Sequence, residues 1–232
     1  MADYVLVHGA WHGAWCWRRV LGPLREAGHR AFAVSLSGVG ERAHFDPASV
    51  TLRTHIDDIV AVVDAEELVQ PILVGHSYAG MPMTGAADVL AGRLRHLVYV
   101  DAVVPLPGEC WSSMQPAATR DARRAAIAQT GLIPPPDPAV FGLAGADHAW
   151  VARRQTPHPG AVYDAPLDFV AQRWAALPRT FIDCTAPALP TIDAFRARVR
   201  SQPGWNVRAI ATGHDAMVSA PEALVRILLN LA

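Results

Sequence analysis

The chain has 232 residues, of which 51% are hydrophobic and 18% charged, so it can bury the core of one globular domain and is not disordered. The formal net charge is −1 and no block of basic residues occurs, which excludes the electrostatic footprint of a protein that binds nucleic acid or an anionic membrane. All 20 basic residues are arginine, and the absence of lysine excludes lysine-dependent chemistry.

Three widely spaced cysteines, Cys16, Cys110 and Cys184, fit neither a complete disulfide framework nor a zinc-binding pair. The first strand is predicted to begin by Tyr4, which leaves no room for a secretory leader, and no apolar run approaches about 18 residues. We therefore expect a cytoplasmic protein that binds neither nucleic acid nor membrane. The sequence leaves a monomer and a homodimer open.

The start of the chain predicts a strand, a helix and a second strand. Residues 4–7 are apolar and are followed by His8, and residues 31–35 are followed by a glycine-rich turn. Between these strands, residues 17–28 carry apolar side chains at helical spacing and stop at Gly28, a residue type that commonly follows the end of a helix.

The same alternation continues through the middle of the chain. Residues 52–69 predict a helix, residues 71–74 a buried strand, residues 81–91 a helix of small residues, and residues 96–100 a strand that ends at Asp101. Apolar strands that alternate with helices indicate an α/β fold, with a mostly parallel sheet and helices on both faces. Functional groups should then gather at the carboxyl edge of the sheet.

The alternation breaks between residues 105 and 177. The proline-rich residues 133–138 can form neither a regular helix nor an inner strand. We expect residues 105–177 to be a short helical cap insertion on a core made of residues 1–104 and 178–232. In the second part of the core, strands are predicted at residues 179–184 and 206–211, and helices at residues 192–200 and from Pro221 onward.

The most informative stretch is the turn that follows the strand at residues 71–74. A small-x-Ser-x-small sequence between a strand and a helix places the serine at the apex of a sharp, strained turn. Gly75 and Ala79 are the small residues two positions before and after Ser77, and Gly80 follows directly. Ser77 is therefore the predicted nucleophile.

A serine hydroxyl needs a base within hydrogen-bond reach, and a third group must orient that base. Among the ten histidines, His214 is best placed, because it follows the last predicted strand and precedes the last helix. An oxyanion hole needs two backbone donors, for which we predict the amides of Ala10 and Tyr78. Gly9 allows the first loop to turn close to the serine.

Three residues are predicted to contact the substrate: Gly9, Trp11 and Trp111. Trp11 belongs to the loop after the first strand, and Trp111 belongs to the cap. Core packing is an open alternative for at least two of the tryptophans at positions 11, 15 and 17. No cofactor is implied. A metal pair at His8 and His12 is not favoured, because the predicted turn separates them and no third ligand is evident.

Several stretches resemble the α/β-hydrolase superfamily, and within it the small esterase and hydroxynitrile-lyase group. The matching stretches are Val5-Leu-Val-His-Gly-Ala-Trp-His-Gly-Ala-Trp-Cys-Trp17, Leu36-Ser-Gly-Val-Gly-Glu-Arg-Ala-His44, Val74-Gly-His-Ser-Tyr78, Leu97-Val-Tyr-Val-Asp-Ala-Val-Val-Pro105 and Gly213-His214. The resemblance covers most of the core and little of the cap. Lyases of this group carry a threonine after the first-loop histidine and a cap-side lysine. This chain has Gly9 and no lysine, so the resemblance implies ester hydrolysis.

One departure from the family concerns the acid of the triad. The family's aspartate usually follows the strand that matches residues 181–185, but here Ala186 and Pro187 follow and the aspartate is missing. The candidates are Asp101, which we favour, Asp183 and Asp193, with a Ser–His dyad as a further alternative.

We therefore predict a serine hydrolase that cleaves a small or medium, largely apolar carboxylic ester through an acyl-enzyme. One alternative is a lyase or a natural-product tailoring or cyclising enzyme on the same fold. Another is a non-catalytic small-molecule binder that kept the fold.

Overall fold

The computed structural model describes all 232 residues and contains a six-stranded sheet in which every pair of neighbouring strands is parallel. The eight strands of the chain are β1 (Asp3–Val7), β2 (Arg30–Val34), β3 (Ile72–His76), β4 (His96–Val100), β5 (Leu132–Ile133), β6 (His158–Pro159), β7 (Arg179–Cys184) and β8 (Trp205–Ile210). The large sheet has the order β2-β1-β3-β4-β7-β8, and β5 pairs with β6 in a separate antiparallel pair.

Nine α-helices surround this sheet. They are α1 (Arg18–Glu26), α2 (Leu52–Ala65), α3 (Gly80–Val89), α4 (Ala117–Thr130), α5 (Gly145–Ala152), α6 (Ala171–Ala175), α7 (Asp193–Ser201), α8 (Ala216–Ser219) and α9 (Pro221–Leu229). Helix α1 packs against α9, and α2 packs against α3. Helices on both faces explain why β1 and β3 are buried throughout, and the predicted α/β class with a mostly parallel sheet is confirmed.

The predicted core elements are present, with two differences. Helix α2 ends at Ala65 instead of residue 69, because the chain turns through Glu67 and Gln70, whose φ angles are 49° and 52°. Left-handed backbone at these residues cannot continue a right-handed helix. The short helix α8, directly before α9, was not predicted.

The segment between β4 and β7 contains α4, α5, α6 and the small β5–β6 pair. The β5–β6 pair was not predicted, and it is only two residues long on each side. Residues of this segment join the same buried apolar cluster as the sheet, and Trp174 donates a hydrogen bond from Nε1 to the Tyr99 hydroxyl over 2.8 Å. The segment is thus packed onto the core. None of the helices has the length and apolarity that crossing a membrane requires.

Candidate active site

The carboxyl ends of β1, β3 and β4 lie level with one another at one edge of the sheet. Val7 pairs with Gly75 across β1 and β3, and His76 pairs with Val100 across β3 and β4. The first-strand loop, Ser77 and Asp101 each follow one of these strands directly. Parallel pairing therefore brings the three predicted groups to the same place.

Ser77 occupies a strained turn between β3 and α3. Its φ angle is 54°, in the left-handed region that costs a non-glycine residue about 1 kcal/mol or more. A Cβ atom on Gly75 would lie 2.9 Å from Met83 Sδ, and one on Gly80 would lie only 1.8 Å from the Val103 carbonyl oxygen. The closest approach in the turn is therefore at Gly80, while the predicted small position, Ala79, tolerates its methyl group.

His214 lies in the loop between β8 and α8, and its side chain is 2% exposed. Its Nδ1 is 2.7 Å from Oδ2 of Asp101, whose side chain is fully buried. A carboxylate oxygen only accepts, so Nδ1 carries a proton, and in the neutral tautomer the lone pair is on Nε2. His214 and Ser77 line the same cavity.

The three candidate acids have separate positions. Asp101 follows β4 with a φ of 43° and contacts His214. Asp183, at the end of β7, and Asp193, at the start of α7, bind Arg196 instead. Sequence reasoning missed Arg196. A signal was available in the sequence: Arg196 lies four residues after Ile192 and three before Val199. Residues at this spacing share one helix face, so Arg196 falls on the apolar side of α7.

The predicted oxyanion donors lie in two segments that approach Ser77. The Ala10 amide donates to no backbone carbonyl, and Tyr78 lies in the first turn of a short 3₁₀-helix, where amides have no partner within the helix. A Cβ atom on Gly9 would lie 2.8 Å from Ser77 Cβ, so only glycine lets this loop come so close.

A buried ion pair fixes the first loop, and the sequence analysis did not predict it. His12 Nε2 lies 3.1 Å from Asp215 Oδ2, and His12 Nδ1 lies 2.8 Å from the Ala10 carbonyl oxygen. Both oxygens only accept, so both ring nitrogens carry protons and His12 is a cation. Burial alone would lower the pKa of His12, but the Asp215 carboxylate outweighs burial and raises it. Asp215, which follows His214 directly, thereby ties the loop after β1 to the loop that carries His214.

His8 and His76 have structural contacts of their own. His8 Nδ1 donates to the Gly9 carbonyl oxygen over 2.7 Å, and its Nε2 accepts from the Leu36 amide over 3.0 Å. Burial lowers the pKa of His8 to about 3, so the ring is neutral. His76 Nε2 lies 3.1 Å from the His214 carbonyl oxygen and 3.6 Å from Asp215 Oδ1.

A cavity of about 570 Å³ opens beside Ser77 and His214. Trp11 and Trp111 line it, as does Phe141, whose ring stacks on that of Trp11 with centroids 6.1 Å apart. Trp17 is fully buried in the core instead. Arg123 of α4 is the one arginine in the lining, which holds no acidic residue. The cavity thus suits a largely apolar ligand.

A fully parallel sheet with a serine in a strained turn after β3, beside a histidine bound to an aspartate, defines the class of α/β enzymes with a nucleophile elbow. A profile of the alpha/beta hydrolase family matches residues 4–227, and the chain belongs to that family. The family resemblance described from the sequence is confirmed.

Individual relatives support the same conclusion. The carbendazim hydrolyzing esterase of Nocardioides sp. (strain SG-4G) is 39% identical over 241 residues, which cover 100% of both chains. Methylesterase 7 of Arabidopsis thaliana is 25% identical over 248 residues, covering 99% of this chain and 95% of that protein. An extracellular α/β-hydrolase from a Paenibacillus species has a solved structure with a TM-score of 0.85 at 19% identity, covering 100% of this chain and 99% of that one. The chain is a carboxylic ester hydrolase of the α/β-hydrolase type.

Proposed function

We propose that this hydrolase uses Ser77 as nucleophile, His214 as general base and Asp101 as the acid that orients His214. The observation that carries the proposal is the 2.7 Å contact between His214 Nδ1 and Asp101 Oδ2, at the cavity that Ser77 also lines. This contact fixes the tautomer in which Nε2 can accept the serine proton.

The reaction follows from these positions. Ser77 Oγ attacks the ester carbonyl carbon while His214 Nε2 takes the hydroxyl proton, and the imidazolium that forms is stabilised by Asp101. The carbonyl oxygen becomes an oxyanion that the amides of Ala10 and Tyr78 stabilise; one such donor is worth about 10²–10³ in rate. The intermediate collapses, the alcohol leaves with the proton from His214, and water hydrolyses the acyl-enzyme by the same steps.

The substrate that we propose is a small or medium, largely apolar ester. The aromatic walls support it, and the guanidinium of Arg123 lies 4.8 Å from the Trp111 ring centroid and 5.3 Å from that of Trp11. A cation in an otherwise uncharged lining favours an ester that carries one hydrogen-bond acceptor away from the scissile bond. Carbendazim and simple methyl esters, suggested by the names of the relatives, are the first compounds to test.

Two further proposals concern organisation and location. We propose that residues 105–177 act as the cap, because α4 lies over the cavity and supplies five of its lining residues, namely Ala118, Thr119, Ala122, Arg123 and Ala126. We also propose a cytoplasmic location, which the three unpaired cysteines support. The absence of lysine disfavours cyanohydrin cleavage, because the lyases of this group carry a cap-side lysine.

The test combines labelling with kinetics. A fluorophosphonate should add once to the intact protein and not at all to Ser77→Ala. Asp101→Asn should lower the turnover of methyl esters by about 10⁴, the typical loss when a triad acid is neutralised. Asp193→Asn, whose carboxylate is 66% exposed, should cost far less. Unlabelled wild-type protein would refute the mechanism, and full activity in Asp101→Asn would refute the assignment of the acid.

A further inference from the structure

Arg196 of α7 is buried behind Asp101, with its side chain 6% exposed. A guanidinium has five N–H donors, and every one has an acceptor here. Nε donates to Asp183 over 2.7 Å, Nη1 to the Leu189 carbonyl over 2.8 Å and to Asp193 over 2.7 Å, and Nη2 to Asp101 over 2.6 Å and to the Cys184 carbonyl over 3.2 Å. Arg196 therefore joins the ends of β4 and β7 to α7.

The two oxygens of Asp101 are held from opposite sides. Arg196 binds Oδ1, and His214 binds Oδ2. A carboxylate that forms charge-assisted hydrogen bonds through both oxygens has a fixed plane. The backbone of Asp101 is itself strained, with a φ of 43°, so the residue needs neighbours that hold it in place.

Arg196 also balances the charge around the acid. Asp183 is 1% exposed and Asp101 fully buried, so two carboxylates share a region that water does not reach. Burial alone would lower the pKa of Arg196, but Asp101 and Asp183 outweigh burial and raise it above its ordinary value. The guanidinium stays charged. Removing it would leave buried negative charge uncompensated.

We infer that Arg196 is a positioning residue for hydrolysis: it fixes the plane of Asp101 and places a buried positive charge behind the pair of Asp101 and His214. This inference rests on the proposed function, because it matters only where Asp101 orients His214. It explains how an acid at the end of β4 can work although the family's usual position after β7 holds none. The carbonyl oxygens that anchor Arg196 come from Cys184 at the end of β7 and from Leu189 after it.

Other charged and titratable groups surround the same pair. They are Asp183 and Cys184 from β7, Asp193 from α7, His76 from the end of β3, His12 from the first loop, Asp215 beside His214, and Arg200, which binds Asp183. Among these groups, Arg196 is the cation in direct contact with Asp101. Its loss makes the potential at His214 more negative, which favours the protonated imidazole.

The experiment measures kcat/KM against pH for methyl esters, with active sites counted by fluorophosphonate labelling. In Arg196→Met, the acid limb of the profile should move up by about one pH unit. In Arg196→Lys the positive charge remains, so the acid limb should move less. The plateau of kcat/KM should still fall by about tenfold, because an ammonium group cannot replace the five N–H donors of the planar guanidinium. Arg198→Met is the matched control: it removes a pair with Glu109 from the same helix without touching Asp101.

These outcomes distinguish a failure of the Arg196 inference from a failure of the proposed function. A purely structural role for Arg196 would lower the labelled fraction and leave the limb where it is, which would overturn the inference alone. If the plateau of kcat/KM in Arg196→Lys equals that of wild type, the positioning role is overturned, even if Arg196→Met does not fold. An acid limb that shifts equally in Arg198→Met would show a general effect of lost ion pairs and also overturn it. Wild-type protein without label or turnover would refute the proposed function itself.

Discussion

At the scale of single residues, Asp215 and His12 each keep the other charged inside the fold. Their side chains are 0% and 1% exposed. Burial raises the pKa of Asp215, but the charge and hydrogen bond of His12 outweigh burial and lower it to about 2. His12 of this pair also binds the Ala10 carbonyl oxygen, so the pair holds the loop after β1, which carries a proposed oxyanion donor.

These shifts predict a pH dependence of stability with a definite sign. The Asp215 contribution is present in full above its ordinary pKa of 3.8 and is lost as the pH falls through about 2, because the unfolded chain takes up the proton first. His12 acts oppositely: its contribution is present below its ordinary pKa of 6.5 and is lost as the pH rises through its raised pKa.

Asp215→Asn should therefore lose free energy of unfolding relative to wild type as the pH falls from about 8 to about 5, by about 1 kcal/mol or more, because burial then lowers the pKa of His12, which Asp215 raises in wild type. Its stability at neutral pH should already be reduced, since His12 then lacks its partner. Urea titrations across this range measure the difference. The exposed Asp168→Asn is the control, and it should follow wild type. Parallel losses in Asp215→Asn and wild type would contradict the prediction.

At the scale of elements, α2 and α4 have the same length and opposite degrees of burial. Each has 14 residues, but α2 buries five of them and starts with a capping box at Thr51 and Thr54, while α4 buries none. Few buried contacts mean a low free energy of local opening. Helix α4 is therefore the element most easily moved away from the cavity.

We expect amide hydrogens of α4 to exchange at least about 100-fold faster than those of α2 in the native protein. Hydrogen-exchange mass spectrometry with peptides from both helices measures this directly. Equal protection of the two helices would show that α4 is held rigidly over the cavity and that substrate enters by another route. Since the helices match in length, the comparison corrects for fraying at the ends.

The elements of the core were predictable because their signals are local. Apolar strands, the spacing in α1 with Gly28 after its end, and the small residues around Ser77 all act within a few positions. The end of α2 was not, because Glu67 and Gln70 adopt positive φ without being glycine. The β5–β6 pair was missed since its partners are two residues long and distant in sequence.

The candidate site was predictable only in part, for the same reason. Ser77 and His214 follow strands, so their spacing indicates where they lie. The contacts of Arg196 and of the pair His12–Asp215 join residues that are up to 203 positions apart, and no spacing rule connects them. Sequence likewise could not distinguish Asp101, Asp183 and Asp193. All three contact Arg196, and the difference between them is the contact of Asp101 with His214, which is 113 positions away.

At the scale of the whole molecule, one apolar cluster of 62 buried residues joins the sheet to residues 105–177. The junction includes Trp174, whose ring lies 4.2 Å below the guanidinium of Arg179 on β7 and 5.9 Å from the ring of Trp205 on β8. Elements that share a single core lose their packing together. Local opening of α4 is compatible with this, since that helix contributes no buried residue.

We expect residues 105–177, the proposed cap, to unfold in one transition with the rest of the chain. Tryptophan fluorescence, which reports on both parts because the seven tryptophans are divided between them, should change together with far-UV circular dichroism. Coincident urea midpoints from the two probes would support a single cooperative unit. An earlier fluorescence change, with the helical signal of the core retained, would show that the cap unfolds independently.

The place of Asp101 has a consequence for how this enzyme can diversify. With the proposed acid, Asp101, directly after β4, the exposed residues 185–188 after β7 supply none of the proposed catalytic side chains. The same connection continues into Leu189, Thr191 and Ile192, which form part of the cavity wall. Insertions or exchanges in this stretch can reshape the binding surface while the nucleophile, base and acid keep their places. Substitutions in this stretch can therefore change the range of substrates while the proposed catalytic residues stay in place.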